Sequence, residues 1–476
     1  MDTKKLRQKI LDLAIHGKLV PQNPNDEPAS VLLERIRAEK ERLIAEGKIK
    51  RSKKSATSDT SHYENVPFEV PEGWSWTSLN SVCTIFGRIG FRGYTKDDLV
   101  DSTGAITLSP SNIVDGVMNF EKCTYISWEK YEESPEIQVQ NEDVLLVKTG
   151  SSYGKCAYVE SLPKEATINP QFVVLKFIGC NPRFLTCCLQ SNYARKQYEE
   201  FVLGTAIPTF TQVALGAMAI PMPPIEEQER IVAEVEKLLT IVDNIEQSKQ
   251  DLSTAITQTK NRILDLAIHG KLVPQDPNDE PAIEILKRIN PKFVPCNNAH
   301  YENVPNSWCW TTLGEVCELI TGSTPSKLHP EYYGGDFPFY KPTDLDVGRH
   351  VAIPSEFLTG EGKKVSRVIP VGATAICCIG SIGKCGYIEK EGATNQQINT
   401  AVPSKSLHPL YLYYFCNSTF FVEELTADSS AITISIVNKS KLSKMLIPIP
   451  PYKEQQRIVT KIEKLLVVLD NISAEL

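Results

Sequence analysis

Residues 220–270, IPMPPIEEQERIVAEVEKLLTIVDNIEQSKQDLSTAITQTKNRILDLAIHG, determine the architecture of this chain. A Pro-Pro pair is followed by Glu226, Glu227 and Glu229, whose carboxylates oppose the dipole at a helix start. From Ile231 onward, apolar residues recur in alternating steps of four and three, interrupted by Lys249 and Thr259. This heptad pattern predicts a continuous helix over 226–268, roughly 65 Å long, that needs a partner helix.

The two ends of the chain provide the predicted partner. The same spacing recurs in the C-terminal residues 458–472 and again in Leu6, Ile10 and Leu13 near the N-terminus. We therefore expect the two ends to meet and to complete a second long helix, antiparallel to the first. The alternative is that each apolar seam packs on its own globular domain. The predicted seam consists of Ile231, Val235, Leu238, Val242, Ile245, Leu252, Ile256, Ile458, Ile462, Leu465, Leu469 and Ile472.

The sequence is a tandem duplication. ILDLAIHGKLVPQNPNDEPA at 10–29 returns at 263–282 with one change, and IPMPPIEEQERIV at 220–232 matches IPIPPYKEQQRIV at 447–459. The residues between these blocks differ, and we name them the first head (62–222) and the second head (300–449). Both contain short β-branched runs, which predict mixed strands, and a few helices such as 182–202 and 409–425. This pattern indicates two variable domains on a repeated helical scaffold.

Charge argues against bulk attraction to nucleic acid. The 476 residues contain 51 Lys+Arg and 58 Asp+Glu, a net charge of −7. Residues 62–223 hold 12 basic and 18 acidic residues, net −6, and residues 300–449 hold 12 and 14, net −2. Any contact with nucleic acid therefore requires locally concentrated positive charge or charge supplied by partners.

Composition otherwise indicates an ordinary cytoplasmic globular protein. Hydrophobic residues make up 41% and charged residues 23%. No segment approaches the ~20 apolar residues of a membrane span, and the N-terminus lacks the apolar core of a signal peptide. The 13 cysteines show no zinc-type spacing, so we expect mostly buried, reduced thiols.

Several short motifs resemble catalytic sites but lack their essential residues. GSSYGKC at 150–156 and GSIGKC at 380–385 miss the spacing and the hydroxyl of a phosphate-binding loop, and strand–turn–strand is predicted instead. IPPY at 449–452 lacks the polar first residue of an adenine methyltransferase motif. His16 and His269 precede glycines at predicted helix ends, where a capping role is expected. No catalytic constellation is predicted.

Two copies of P-x-P-P-x-x-E-Q-x-R-I, each opening a coiled-coil helix, and LDLAIHGKLVPQ closing such a helix resemble one family closely. It is the specificity subunit of type I restriction–modification enzymes, and the resemblance covers essentially the whole chain. In the second head, TGSTP at 321–325, YYGGD at 332–336 and KPTDL at 341–345 resemble a common family opening. The first head departs from it with IFGRIGFRG at 85–93 and LSPSNI at 108–113, which suggests a different recognised sequence.

The resemblance implies an α+β fold. Two mixed α/β target-recognition domains would be separated by a long antiparallel two-helix coiled coil, as a tandem repeat with circular pseudo-twofold symmetry. The expected domains are an N-terminal helical part of the distal conserved region (1–50), target-recognition domain 1 (51–222), a central conserved helical region (223–292), target-recognition domain 2 (293–449) and a C-terminal conserved helix (450–476).

The resemblance also implies a non-catalytic function. Each target-recognition domain would read one half of an asymmetric, bipartite site in double-stranded DNA. The helices would bind two modification (methyltransferase) subunits, which would carry S-adenosylmethionine and methylate adenine, and two restriction (nuclease/translocase) subunits would join them. This chain itself would hold no cofactor and no metal, and no membrane partner is expected. A rigid spacer of roughly 65 Å can separate half-sites by more than one ~34 Å duplex turn.

Candidate DNA contacts are loop cations and polar side chains that can reach base edges. In the first head they are Arg88, Arg92, Lys148, Ser152, Lys155 and Gln171. In the second head they are Lys327, Lys341, Lys384, Asn395, Gln396 and Gln397. A solvated surface role is the alternative for each of them. The basic run KIKRSKK at 48–54 either touches phosphate or is an ordinary linker.

Two other functions stay open at this point. The chain could be a non-catalytic coiled-coil adaptor that joins partner proteins without reading sequence. It could also be a self-sufficient methyltransferase, which would have to bind S-adenosylmethionine by itself.

Overall fold

The structure, a computed structural model, describes residues 2–49, 67–88, 93–204, 207–296, 304–427 and 436–476. The chain divides into a first unit, Met1–Ser248, and a second unit, Lys249–Leu476. Each unit contains one head together with helices from the repeated blocks. The division therefore runs through the middle of the central helical region.

The helices of the first unit begin with two from the N-terminal block and end with the long central helix, which continues into the second unit. They are α1 (Thr3–Ile15), α2 (Ala29–Ala45), α3 (Leu79–Val82), α4 (Trp128–Glu132), α5 (Pro182–Gln190), α6 (Asn192–Phe201), α7 (Gln212–Gly216) and α8 (Ile225–Ile268). The strands are β1 (Ser75–Ser78), β2 (Cys83–Gly87), β3 (Leu99–Val100), β4 (Ala105–Leu108), β5 (Ile113–Val114), β6 (Val117–Met118), β7 (Thr124–Ile126), β8 (Gln138–Val139), β9 (Val144–Val147), β10 (Cys156–Tyr158), β11 (Ala166–Ile168), β12 (Phe172–Phe177) and β13 (Ala219–Met222).

The first head is built on two sheets. A four-stranded antiparallel sheet has the order β10-β9-β12-β2, and a five-stranded sheet has the order β3-β7-β4-β11-β8 with β4 and β11 parallel. Strand β1 pairs with β13, and β5 pairs with β6 as a hairpin. The runs in β9 and β12 are apolar because both faces of that sheet are covered, so Leu145 and Val174 face one core while Leu146 and Val173 face another.

Helix α1 runs antiparallel to the first half of α8. Arg7, near the start of α1, forms ion pairs with Asp243 and Glu246. Beyond the end of α1, Arg230 at the start of α8 pairs with Asp26. Apolar residues of both helices join Trp74 and Phe184 of the head in one core. The sequence left open whether the apolar seam pairs two helices or packs on its own head. In the first unit it does both.

The second unit repeats this plan with different contents. Its helices are α9 (Ala282–Ile289), α10 (Leu313–Val316), α11 (Gly360–Lys364), α12 (Pro409–Cys416), α13 (Thr419–Thr426), α14 (Lys439–Lys444) and α15 (Tyr452–Glu475). Its strands are β14 (Cys309–Thr312), β15 (Cys317–Thr321), β16 (Tyr333–Tyr340), β17 (Glu356–Leu358), β18 (Val368–Ile369), β19 (Thr374–Cys377), β20 (Cys385–Tyr387), β21 (Gly392–Thr394), β22 (Ile398–Pro403) and β23 (Leu446–Ile449).

The second head also has two sheets and an antiparallel helix pair. The sheets have the orders β15-β22-β19-β20 and β17-β16-β21-β18, with β16 and β21 parallel, and β14 pairs with β23. Helix α15 runs antiparallel to the second half of α8, because Asp470 pairs with Lys260 while the C-terminal Leu476 carbonyl accepts from Lys249. The two-helix prediction holds within each unit. Whether the chain ends meet stays a prediction.

The seam is not uniformly buried. Ile231, Val235, Val242, Ile256, Ile458 and Ile462 are buried. Leu238, Ile245, Leu465 and Leu469 are half-buried. Leu252 and Ile472, by contrast, are 41% and 40% exposed. The predicted seam is therefore not buried at these two positions, which lie toward the C-terminal end of α15 and the middle of α8.

Two predicted head helices are each divided in two. The segments 182–202 and 409–425 contain breaks at Ser191 and at 417–418. The Ser191 hydroxyl accepts from the Ala194 amide at 3.2 Å, and the Ser418 hydroxyl accepts from the Phe421 amide at 3.3 Å. A serine N-cap therefore starts a second helix within each segment, whereas the sequence predicted a single helix.

Thiols and helix hydropathy complete the description. The 13 cysteines are free thiols, nine of them buried and the others half-buried. Burial raises the pKa of Cys187 to about 12. In the described part of the chain, every helix is too short or too polar to span a bilayer.

Candidate nucleic-acid interface

A glycine-containing loop joins β9 to β10 and carries three predicted contact residues, Lys148, Ser152 and Lys155. Gly150 and Gly154 have φ angles of 101° and 81°, a left-handed backbone that favours glycine. The Gly154 amide donates to the Val147 carbonyl at 2.8 Å and closes the loop. The strand–turn–strand prediction is confirmed here and between β19 and β20.

The two lysines of this loop present unneutralised charge. Lys155 is exposed and Lys148 is half-buried, and burial lowers the pKa of the Lys148 ammonium. Within the described ranges neither ammonium forms an ion pair with a carboxylate. The Lys148 backbone amide donates to the Gln171 carbonyl at 2.8 Å, which fixes the base of the loop.

An Asn-x-Gln turn lies directly beside the loop. The Gln171 amide donates to the Asn169 side-chain oxygen at 3.0 Å, and the Asn169 side-chain nitrogen donates to the Gln171 side-chain oxygen at 3.1 Å. Asn169 is 8% exposed, and its backbone amide donates to the Leu108 carbonyl at 2.9 Å. A Cβ on Gly150 would approach the Gln171 side-chain nitrogen to 3.1 Å. The fold thus brings Lys148, Ser152, Lys155 and Gln171 together.

Arg88 is a correction to the predicted contacts. Its side chain is 1% exposed, with Nε donating to the Ile168 carbonyl at 2.9 Å and an Nη donating to the Thr167 hydroxyl at 3.1 Å. Burial lowers the pKa of this guanidinium. Arg88 therefore supports the strand that leads into the Asn-x-Gln turn rather than facing solvent. Arg92 lies outside the described residues.

The second head repeats the loop and the turn. The Gln397 amide donates to the Asn395 side-chain oxygen at 3.1 Å, and the Cys378 amide donates to the Gln397 carbonyl at 2.8 Å. Asn395 is 9% exposed, so it is an anchor of the turn and not the surface contact that we expected. Gln396 is exposed and bonds the Thr324 hydroxyl.

Two candidate contact lysines of the second head are paired with carboxylates, unlike Lys148 and Lys155 of the first head. Lys384, in the loop between β19 and β20, pairs with Asp346 at 2.5 Å. Lys341 follows β16 next to the Asn395 turn and pairs with Glu356 at 2.9 Å. Lys327 is exposed in the loop before β16. The two heads therefore offer one backbone frame with different charges.

The repeated E-Q-x-R residues join each head to its helices, and we call them the connector: Glu227, Gln228 and Arg230 in the first unit and Glu454, Gln455 and Arg457 in the second. Gln228 is fully buried, accepts from the Asn181 amide at 2.8 Å and donates to the Pro223 carbonyl at 3.0 Å. Gln455 accepts from the His408 amide at 2.6 Å and donates to the Ser406 and Pro450 carbonyls at 3.0 Å.

The connector carboxylates and arginines hold the loop after the preceding helix. Glu454 accepts from Gln275 at 2.6 Å and from the Trp308 indole at 3.0 Å, and Glu227 accepts from Gln22 at 2.8 Å. Arg457 pairs with the buried Asp279 at 2.7 Å. Burial raises the pKa of Glu227 and of Glu454 despite these donors. The identical blocks of sequence are thus explained by one repeated polar network.

An arginine bridge, which sequence reasoning missed, links each head to its long helix. In the first unit Arg183 lies 4.8 Å from the Tyr158 ring centroid and pairs with Glu160 at 2.7 Å and with Glu236 of α8 at 2.5 Å.

In the second unit Arg349 lies 4.7 Å from the Tyr387 ring centroid and pairs with Glu389 at 3.1 Å and with Glu463 of α15 at 3.3 Å. The tyrosines and glutamates correspond in the repeat, but Arg183 lies in the first turn of α5 while Arg349 lies near the end of a 3-10 segment, Pro342–His350, after β16. A motif search cannot find a residue whose position changes between copies.

The predicted capping histidines are confirmed as caps. His16 Nδ1 and His269 Nδ1 lie 2.6 Å from the carbonyl oxygens of Asp12 and Asp265, four residues earlier in each helix. Gly17 and Gly270 follow with φ angles of 62° and 68°. Among the residues described, His, Cys, Asp and Glu form no group of three or more that could hold a metal ion.

Comparison with known proteins identifies the family. A family model described as "Type I restriction modification DNA specificity domain" matches residues 71–254 and 305–475. The chain is 26% identical to the EcoAI specificity subunit of Escherichia coli, over 97% of this chain and 89% of that protein. It is 25% identical to the EcoEI specificity subunit of Escherichia coli, over 99% and 90% of the two chains.

Solved structures share the fold. A chain from a type I restriction–modification system superposes with a TM-score of 0.62 at 22% identity, covering 86% of this chain and 94% of that chain. The two matched segments each contain one head, its connector and most of its long helix, so the repeat seen in the sequence is the repeat of the family. The chain belongs to the family of type I restriction–modification DNA specificity subunits.

Proposed function

We propose that this specificity subunit reads an asymmetric, bipartite site in double-stranded DNA, one half with each head. Its helices carry two modification subunits, which hold S-adenosylmethionine and methylate adenine, and restriction subunits join through them. The chain itself is non-catalytic and acts in the cytoplasm.

One observation carries this proposal. Both heads place a glycine loop, one residue shorter in the second head, beside the same Asn-x-Gln turn, yet the cations around it differ. Lys148 and Lys155 are free of carboxylate partners in the described first head, whereas Lys384 and Lys341 are paired in the second. Similar frames with different contact groups are what two different half-sites require, because base edges are distinguished by the positions of donors and acceptors.

The test is a methylation map of a strain with and without this chain, together with its modification subunit. We expect one bipartite adenine motif with unequal halves to disappear when the chain is removed. An unchanged map would contradict sequence readout and favour the adaptor.

A variant assigns one half-site to the first head. Lys148→Gln with Lys155→Gln removes two cations from the first head, each worth ~1–3 kcal/mol of discrimination if it contacts a base. We expect degenerate recognition in one half of the motif and an unchanged other half. Lys122→Gln with Lys196→Gln, at exposed positions outside the loop, is the matched control. If recognition became equally degenerate in both halves of the motif, the assignment of one half-site to the first head would be contradicted.

The cofactor is tested separately. Purified chain titrated with S-adenosylmethionine should release no heat, while the complex with modification subunits should bind it. Binding by the purified chain alone would support a self-sufficient methyltransferase.

A further inference from the structure

A groove in the second unit lies along the outer face of α15. It has a volume of about 580 Å³ and is lined by Val273 and by α15 residues from Lys453 to Lys464. Lys453, Arg457, Lys461 and Lys464 follow one another at helical spacing, so their side chains share one face over three turns. We call this surface the α15 groove.

The positive charge of the α15 groove is largely unneutralised. Arg457 pairs with Asp279 at 2.7 Å, but Lys453, Lys461 and Lys464 are exposed, and none of them forms an ion pair within the described ranges. One more carboxylate is near, because the pKa of Asp276 is lowered first by the Asn278 amide and then by Arg457 and Lys453. Lys453 thus attracts Asp276 without an ion pair, and Lys461 and Lys464 remain for a partner.

The corresponding face of the first unit has the opposite balance. At a sequence offset of 227, Lys453, Gln456, Lys461 and Lys464 correspond to Glu226, Glu229, Glu234 and Lys237 on α8. Arg230 keeps its pair with Asp26, and Lys237 is paired with Glu234 at 3.0 Å. The stretch 453–464 of the second unit thus presents four cations on this face, where the first unit presents three carboxylates and two cations.

Both faces continue into an exposed aliphatic side chain. One turn beyond Lys464 lies Val468, which is 56% exposed, and at the corresponding place in the first unit lies Ile241, which is 47% exposed. Apolar side chains beside a charged groove are typical of a surface that a protein segment covers. A phosphate backbone would use the cations but would leave the exposed Val468 side chain without an apolar partner.

We propose that the α15 groove binds an acidic, amphipathic segment of one modification subunit, and that the equivalent face of the first unit binds its copy without this electrostatic attraction. This inference rests on the proposed function, in which two such subunits bind the helices. The two binding sites are then unequal. Salt weakens the site of the second unit selectively, because exposed charges are screened within about 10 Å at 0.1 M salt.

The test titrates the full chain with the modification subunit and follows hydrogen exchange of 225–237 and 452–464. For wild type we expect two binding steps, with protection of both segments. For Lys453→Glu/Lys461→Glu/Lys464→Glu we expect about tenfold weaker binding in one step, lost protection of 452–464 and unchanged protection of 225–237. Glutamate is a good helix former, and thermal melting checks the fold.

Charge-matched variants sharpen the result. Lys390→Glu/Lys405→Glu/Lys439→Glu changes the net charge equally at exposed positions elsewhere in the second unit and should bind like wild type. Glu226→Lys/Glu234→Lys should strengthen binding to the first unit and make it salt-sensitive.

Two outcomes overturn the inference. The first is that the triple α15 variant binds both copies as wild type does, and the second is that it loses affinity for duplex DNA while keeping both copies. If wild type itself binds no modification subunit, the proposed function fails, and that failure is visible before any variant is made.

Discussion

The first and second units have the same connector but different heads. Gln228 and Gln455 make equivalent buried bonds at the two helix starts, and Glu227 and Glu454 hold equivalent loops. Around this constant frame, one head carries a five-stranded second sheet and the other a four-stranded one. The difference teaches that the repeated residues maintain the structure while the sheets and loops of the heads vary.

The connector glutamines should give the largest effect on stability, and an unequal one. Gln455→Ala leaves three buried backbone groups unpaired and Gln228→Ala leaves two, so we expect losses of about 3 and about 2 kcal/mol in the free energy of unfolding. Urea unfolding combined with hydrogen exchange of each unit measures them. The exposed Gln456→Ala is the control, and equal small losses for all three variants would contradict the structural role.

The connector carboxylates should make stability depend on pH. In the variant Glu454→Gln, the new amide cannot accept hydrogen bonds from both Gln275 and Trp308. We expect the free energy of unfolding to fall by about 1–2 kcal/mol at pH 7. Because burial raises the folded-state pKa of Glu454 above 4.5, the stability linked to its protonation is present below pH 4.5 and is lost as pH rises through the raised value.

The stability difference between wild type and Glu454→Gln should therefore widen as pH falls toward 4.5. Glu227→Gln should behave alike in the first unit, since burial also raises the pKa of Glu227. Chemical denaturation at several pH values measures both differences. If the stability difference between wild type and variant narrowed with falling pH, the carboxyl pKa would not be raised.

The arginine bridges should give the smallest effect and an equal one. Arg183→Gln and Arg349→Gln each remove a cation from a tyrosine face and two partly exposed ion pairs, so we expect about 1 kcal/mol or less from each. Double-mutant cycles with Tyr158→Leu and Tyr387→Leu measure the coupling. Arg195→Gln, which removes an exposed ion pair on α6, is the control. An absence of coupling in both cycles would show that the arginine bridges do not stabilise the heads.

Much of the helical frame was predictable because its signals are periodic. The heptad spacing predicted a helix over 226–268, and the structure has α8 at Ile225–Ile268. The exposure of Leu252 and Ile472 was not predictable from the pattern, because it depends on which side chains lie opposite.

The site was less predictable than the frame. The pattern placed Lys148 and Gln171 among the contacts, and the fold brings them together through a hydrogen bond between strand ends. Arg88 and Asn395 are also polar residues at strand ends, but they are buried, because their side chains bond nearby backbone groups. Residue type alone does not separate these two uses.

The central proposal is that the two different heads read two half-sites whose separation depends on the length of α8. Inserting seven residues after Gln250, at the boundary of the two units within α8, and mapping methylated adenines tests it most directly. Seven helical residues add about 10 Å, so we expect both half-sites to be retained and their gap to grow by about 3 base pairs. An unchanged gap, or a motif with altered half-sites, would contradict the account.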